Sequence, residues 1–169
     1  MDVSNNPDLA RLLALLENIG HDGCEAIGLL PMPDLRHCGY SVAPPNSLAF
    51  ASTGGDGVHF SLLERPDVEQ AMWPVVMTVP MNFDMPNLIL GSDIGDFLGL
   101  GIRLGYFDLE QLVYDREETI SLLDRNAARP SRSNIKDTVL GQIEAAFSCR
   151  PWDNHGLRID ELQAAFPLG

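Results

Sequence analysis

Residues 53–60 read TGGDGVHF, so that three glycines and Asp56 stand just before His59. Glycine-rich turns can cradle phosphates, but a Walker loop continues as Gly-Lys-Ser/Thr into a helix, and a dinucleotide-binding fingerprint also opens a helix. Here the glycines lead into the apolar alternation of a strand, and no lysine is near. The segment therefore predicts a β-hairpin with Asp56 and Gly57 in its turn, because both residue types tolerate the positive φ of such turns.

Asp56 and His59 are also the residues of this segment that could take part in acid–base chemistry. A histidine base oriented by a carboxylate needs a nucleophile, and the chain has no Gly-x-Ser-x-Gly elbow. Cys149 ends an apolar helical stripe, which favours a packed thiol over an activated one. We expect a non-catalytic protein, with an enzyme or small-ligand-binding protein that uses His59 and Asp56 as the alternative.

Four potential metal ligands occur close together in the sequence, namely His21, Cys24, His37 and Cys38. Structural zinc sites use four ligands of these types. However, His37 and Cys38 are adjacent, and neighbouring side chains in extended backbone point in opposite directions. Isolated cysteines also pack as small hydrophobes. We expect no cofactor, and zinc binding by these four residues stays open at this point.

Two segments offer side chains for binding a partner. The stretch MTVPMNFDMPN, residues 77–87, carries adaptable apolar side chains of the kind found at binding surfaces, although methionines also fill gaps in a core. In the hairpin, alternation directs Val58 and Phe60 into the core and the next residues outward. The predicted partner-binding residues are Asp56, His59, Ser61, Met81, Phe83 and Met85.

The charge balance bears on what such a surface would bind. The chain has 169 residues with 24 acidic and 11 basic side chains, which gives a formal net charge of −13. This charge would repel a nucleic-acid backbone and suits a basic protein partner, so we expect no nucleic-acid binding.

The N-terminal residues lack a basic region and a long apolar run, so we expect neither a secretion signal nor contact with a membrane. Three widely spaced cysteines fit reduced thiols, and we expect a cytoplasmic protein.

The elements that position these residues follow from the apolar spacing. Asn6 and Pro7 start a helix that ends at Gly20, and residues 21–46 read as a long connection with one short strand. A helix capped by Ser92 or Asp93 comes after the last strand, and further helices follow. This order predicts an α+β fold in one domain, residues 1–169. The predicted strands are 47–52, 58–63, 74–79 and 87–90.

Glycines interrupt the helix that follows the fourth strand, at positions 95, 99, 101 and 105. Each glycine weakens a helix by about 0.5–1 kcal/mol relative to alanine. We therefore expect close packing of this helix against the sheet to offset the loss.

This series of segments resembles the SUKH superfamily, which contains bacterial immunity proteins and yeast cell-wall assembly regulators. The series consists of the GGDG turn at 54–57, the strands VHFSLL and PVVMTV, and the segment LILGSDIGDFLGL. In SUKH proteins the helix after the strands begins with a serine that is followed by Phe-Leu, and Ser92, Asp96, Phe97 and Leu98 stand in that position. The resemblance spans residues 47–107, and residues 108–169 form a helical extension.

The resemblance implies an α+β fold with a central, mostly antiparallel sheet, an N-terminal helix and no catalysis. Many members are antidotes that cover polymorphic toxins, often nucleases or deaminases. For this acidic chain it implies an immunity protein whose partner is a basic toxin domain. A regulatory scaffold that binds several partners through residues 21–46 is a further alternative.

Overall fold

The computed structural model describes residues 5–125 and 134–168. Within these residues five strands form one sheet in the order β1-β2-β3-β4-β5, and every neighbouring pair is antiparallel. The four predicted strands correspond to β2–β5, and β1 is the short strand expected within residues 21–46. The strands are β1 Leu30–Arg36, β2 Ser47–Ser52, β3 His59–Leu63, β4 Val75–Thr78 and β5 Asn87–Gly91.

The described residues also contain seven α-helices. Two precede the sheet in the chain, one follows β5 directly, and the helical C-terminal part is present, so the predicted α+β fold with its central antiparallel sheet is confirmed. The helices are α1 Pro7–Ile19, α2 His21–Ile27, α3 Ile94–Gly101, α4 Gln111–Tyr114, α5 Arg116–Arg125, α6 Ile135–Phe147 and α7 His155–Ala165. A 3₁₀ turn, Phe107–Glu110, leads into α4.

The prediction of a connection starting at residue 21 is wrong, because α2 occupies the first seven residues of that range. Local sequence gives little sign of this helix, since Gly23 is unfavourable in a helix interior. In the structure Gly23 is buried at a point where a side chain would collide with Ile19. Cys24 and Ile27 are buried on the same helix. Tertiary packing therefore stabilises a helix that local propensity disfavours.

Phe97 of α3 lies at the centre of the core on one face of the sheet. Its ring centroid is 6.0 Å from that of Phe50, 5.0 Å from Phe60 and 5.1 Å from Tyr106. Aromatic pairs at such distances add about 0.5–1.5 kcal/mol each beyond the burial of their area. The cap of α3 is Asp93, whose side chain accepts a hydrogen bond from the Asp96 backbone N–H.

Residues 37–46, which we call the strap, cross the opposite face of the sheet. Tyr40 stacks on His59, with 5.7 Å between the ring centroids. Further along the strap, the Asn87 side-chain amide donates a 2.7 Å hydrogen bond to the Val42 carbonyl, and the Thr78 hydroxyl donates to the Asn87 side-chain oxygen at 2.8 Å. The strap thus covers side chains of β3, β4 and β5.

The helices after residue 108 pack onto the sheet and the N-terminal helices. Buried side chains of α6 and α7, among them Ile143, Ile159 and Leu162, belong to the same hydrophobic core as the sheet. α6 contacts α2, and α7 contacts β5. None of the helices in the described ranges is both long and apolar enough to cross a membrane.

Candidate functional site

The predicted hairpin is present between β2 and β3. The Thr53 N–H donates to the Val58 carbonyl at 3.1 Å, and the Val58 N–H donates to the Gly55 carbonyl at 3.0 Å. Asp56 and Gly57 adopt positive φ angles of 47° and 74°, as the turn chemistry requires. The glycines therefore lead into a strand, and Asp56 lies exposed at the tip.

The prediction that His59 and Ser61 face outward is wrong. His59 is 1% exposed and Ser61 is fully buried. Alternation along β3 does place them opposite Phe60, but the strap covers that face. Neither side chain can touch a partner while the strap is in place. Their assignment as partner-binding residues is therefore not carried forward.

His59 has an unusual hydrogen-bonding state. Its Nδ1 lies 2.7 Å from the Gly57 carbonyl oxygen, so Nδ1 carries the proton and Nε2 presents a lone pair. Neither Nε2 nor the Ser61 hydroxyl has a hydrogen-bond partner among the residues that the structure describes. Burial lowers the pKa of His59, the hydrogen bond to Gly57 raises it, and the charge of His37 lowers it further. The net pKa of His59 is below its ordinary value.

The arrangement of Asp56 and His59 does not match a base and its orienting carboxylate. The group that fixes the imidazole is the Gly57 carbonyl, and Asp56 points from the exposed turn. Cys149 likewise has no sign of activation, because burial is the main cause that raises its pKa to about 11. This result agrees with the interpretation of Cys149 as a packed thiol.

The four potential zinc ligands are not brought together. Within the described ranges, no three His, Cys, Asp or Glu side chains lie close enough to hold a metal ion. The thiol of the buried Cys24 donates to the Leu16 carbonyl at 3.3 Å, which accounts for it as a packed residue. His37 accepts a hydrogen bond from the Gly39 N–H.

The β4–β5 connection, residues 79–86, begins with the buried Val79, but its large apolar side chains beyond that point are exposed and do not fill the core. Phe83 is 78% exposed, and Met81 and Met85 are also among the exposed large hydrophobic residues. Large apolar side chains grouped on a surface mark interaction sites more often than single exposed ones do. These three residues are therefore placed where a partner could reach them.

Asn82 holds this connection in a defined shape. Its side-chain oxygen accepts a hydrogen bond from the Met85 N–H at 3.0 Å, and its side-chain amide donates to the Val113 carbonyl of α4 at 3.0 Å. The Asn82 N–H also donates to the Val79 carbonyl. The exposed apolar side chains thus project from a braced loop, so less conformational entropy is lost when a partner binds.

Other exposed residues lie near this loop. The β2–β3 and β4–β5 turns emerge at the same end of the meander, and the segment 107–114 lies beside both. Phe107 and Tyr114 are exposed there. We call this region the hairpin-end surface, and it consists of Asp56, Met81, Phe83, Asp84, Met85, Phe107, Asp108, Glu110 and Tyr114.

The hairpin-end surface is acidic. Burial raises the pKa of Glu110, and the nearby charges of Asp56 and Asp108 raise it further, against a hydrogen bond from Gln111 that lowers it. None of Asp56, Asp84, Asp108 and Glu110 forms an ion pair with another described residue. A cationic partner group would therefore meet carboxylates that no cation of the described residues neutralises.

Sequence reasoning did not identify Phe107 and Tyr114. A signal was present, because both lie outside the helical stripe formed by Leu109, Leu112 and Val113. Sequence reasoning also treated residues 21–46 as one long loop for a scaffold. Much of that range is α2 and β1, and the strap packs on the sheet.

No protein-family model, curated protein or solved structure matches this chain. The resemblance to the SUKH superfamily stays a prediction.

Proposed function

We propose that this chain is a non-catalytic binding protein, an immunity protein of the SUKH kind, which neutralises a basic toxin domain by covering its active face with the hairpin-end surface. The observation that carries the proposal is Phe83, a large aromatic side chain that is 78% exposed on a loop braced by Asn82. Exposed aromatic residues held in place are the usual anchors of protein interfaces.

The charge of the surface supports a basic partner. The chain carries 24 acidic and 11 basic residues, and the carboxylates of Asp56, Asp108 and Glu110, which form no ion pair within the described ranges, lie beside the exposed Phe107. Complementary charge accelerates encounter from roughly 10⁵–10⁶ to as much as 10⁸–10⁹ M⁻¹s⁻¹ at low salt. An inhibitor must capture a toxin before the toxin reaches its target, so a fast association rate would serve this function.

The proposal predicts that a toxin domain is encoded beside the gene, and it is tested with that domain. The wild-type protein should rescue growth when this domain is co-expressed, and it should bind the purified domain in calorimetry. Phe83→Ala should weaken binding roughly 30-fold or more, which corresponds to the loss of about 2 kcal/mol expected for an aromatic anchor. Leu157→Ala is the matched control, because Leu157 is also a large, exposed apolar residue but lies on α7.

The contribution of the acidic residues to the association rate is tested with a separate control. The double substitution Asp56→Asn with Glu110→Gln should slow association at low salt, and Glu117→Gln with Asp153→Asn removes the same charge from exposed positions elsewhere. If Phe83→Ala binds as tightly as the wild type, the hairpin-end surface is not the interface. If the wild-type protein neither binds the toxin nor rescues growth, the proposed function is wrong.

A further inference from the structure

His59 is buried in a state that cannot accept a proton without breaking local structure. Its Nδ1–H is already donated to the Gly57 carbonyl, so a second proton would have to go to Nε2. That atom is buried and has no partner within the described part of the chain. Protonation would therefore create a buried cation with an N–H that lacks an acceptor, which is a costly arrangement.

The described residues around His59 offer no buried negative charge that would compensate a protonated ring. The strand neighbours in register are Ser52 on β2 and Thr78 on β4, and neither ionises in the relevant range. On the strap, Tyr40 stacks on the ring, and the charge of His37 lowers the pKa of His59 rather than compensating a protonated ring. Asp56, in the adjoining turn, is exposed to solvent. A protonated His59 would therefore be relieved most directly by contact with water.

The strap is the element that could move to admit water. Over His59 it is held by the Tyr40 stacking contact and by a hydrogen bond from Asn87 to the Val42 carbonyl. Its far end is anchored by two hydrogen bonds between Asn46 and the Glu64 backbone, just after β3. Gly39 has a φ of +77°, and it precedes Tyr40 directly. Tyr40 itself is exposed on its outer side. The part of the strap over His59 is therefore held by few contacts, and Gly39, a flexible residue type, lies at its start.

We propose that the strap is a pH-sensitive cover, which closes over His59 and Ser61 at neutral pH and opens when His59 is protonated. Because the closed state holds fewer protons than the open one, closure is favoured above the ordinary histidine pKa of about 6.5 and weakens as the pH falls below it. The opening equilibrium can rise by as much as about tenfold per pH unit over that window. Opening would expose a polar strip on β3 beside the hairpin-end surface.

The test is amide hydrogen exchange of the purified protein at pH 7.5 and pH 5.0, corrected for the intrinsic exchange rates. In the wild type, protection of strap residues 40–43, where the Ala43 N–H bonds the Tyr40 carbonyl, should fall at least tenfold at the lower pH. Residues 59–61 should stay protected, because they pair with β2 and β4 on both sides. Fluorescence of the buried Trp73 and Trp152 should show that the rest of the molecule stays folded. Equal corrected protection at both pH values would overturn the proposal.

Two variants assign the effect to His59. His59→Asn keeps a side-chain donor for the Gly57 carbonyl but cannot gain a charge, so its strap should stay protected at pH 5.0. His155→Asn is the matched control, because His155 is also buried but its ring contacts the Asp124 carboxylate at 2.6 Å. The His155→Asn variant should lose strap protection at pH 5.0 as the wild type does. Persistence of the pH effect in His59→Asn would contradict the proposal.

A third measurement covers the case in which His59→Asn does not fold. The titration of His59 in the wild type, followed by NMR of its ring protons, should share its midpoint with the changes in strap resonances. Tyr40→Ala should move that midpoint up towards the ordinary histidine value, since the ring would then contact water. Separate midpoints for His59 and the strap would overturn the proposal.

Discussion

The side-chain amide of Gln163 on α7 pairs with the backbone of Ile89 on β5. Its oxygen accepts from the Ile89 N–H at 3.0 Å, and its nitrogen donates to the Ile89 carbonyl at 2.9 Å. The same nitrogen donates to the Ile159 carbonyl at 3.0 Å, which ties the side chain to its own helix. β5 is an edge strand, so this amide occupies the position that the peptide group of a sixth strand would take.

Gln163→Ala should therefore destabilise the protein and uncover the edge of the sheet. Without the side-chain oxygen and nitrogen of Gln163, the Ile89 N–H and carbonyl are left unsatisfied near the core. Such a loss typically lowers the free energy of unfolding by about 1–3 kcal/mol. Urea denaturation should show a lower midpoint, and light scattering should show concentration-dependent self-association through the exposed edge. Gln142→Ala, on the exposed side of α6, should change neither property. Equal stability of the two variants, both monomeric, would show that Gln163 does not protect the edge.

The two glycines of α3 at positions 95 and 99 should respond to alanine in opposite ways. A methyl group at position 99 would fall onto the Arg150 carbonyl oxygen and within 3.4 Å of the Trp152 ring, and the backbone there cannot yield easily. Gly99→Ala should cost about 1–3 kcal/mol, as overpacking does. At position 95 the nearest neighbour is the Asp93 carboxylate oxygen at 3.3 Å.

Gly95→Ala should therefore be neutral or stabilising by up to about 1 kcal/mol, through helix propensity alone. Thermal unfolding of both variants beside the wild type distinguishes the cases. Similar melting temperatures for the two variants would mean that α3 does not pack closely at Gly99.

The glycines of α3 illustrate which features of the structure could be predicted from the sequence. Their number predicted close packing of α3 against the sheet. Close approach is present at positions 99 and 101, but the partners are Arg150, in the α6–α7 connection, and Tyr106, which both lie outside the sheet. The hairpin at Asp56 was predictable because its turn chemistry is local. The burial of His59 was not, because it depends on Tyr40, which is nineteen positions away and reaches it only through the path of the strap.

The exposure of the β4–β5 connection could be predicted only in part from its sequence. The residue types of Met81, Phe83 and Met85 indicated a binding loop, yet a core plug was equally consistent with them. The position of the loop on the surface depends on the hydrogen bond from Asn82 to the Val113 carbonyl, 31 positions away. No local pattern could predict that contact.

Alkylation of the three cysteines should follow their packing. At pH 8, Cys149 should react slowly, since a pKa of about 11 leaves roughly one thiolate in a thousand thiols. Cys24 should be slower still, because it is buried and burial raises its pKa. Burial also raises the pKa of Cys38, but the charge of Arg36 opposes this, and Cys38 should react first. Mass spectrometry of a time course with iodoacetamide gives the order, and labelling in urea gives the unprotected rates. Rapid labelling of Cys149 in the folded protein would contradict its assignment as a packed thiol.

The contact between Asp96 and Arg158 should contribute more to stability than an ordinary surface ion pair. The Asp96 carboxylate accepts from Arg158 at 2.7 Å and from the N–H and hydroxyl of Ser92 at 2.9 and 3.1 Å, which joins the start of α3 to α7. The side chains of Asp96 and Arg158 are only 18% and 35% exposed, and the guanidinium also lies over the Trp152 ring.

A double-mutant cycle with Asp96→Asn and Arg158→Gln measures this coupling, and the exposed pair Arg125–Glu118 is the control. Both members of the control pair are more than half exposed, at 62% and 61%, and such pairs couple by roughly 0.2–1 kcal/mol. The Asp96–Arg158 coupling should exceed that of the control, within the range of about 0.5–3 kcal/mol for residues that share a network. It should also fall less as salt is added, because partial burial reduces screening. Equal couplings with equal salt dependence would mean that α7 is held to α3 by apolar packing alone.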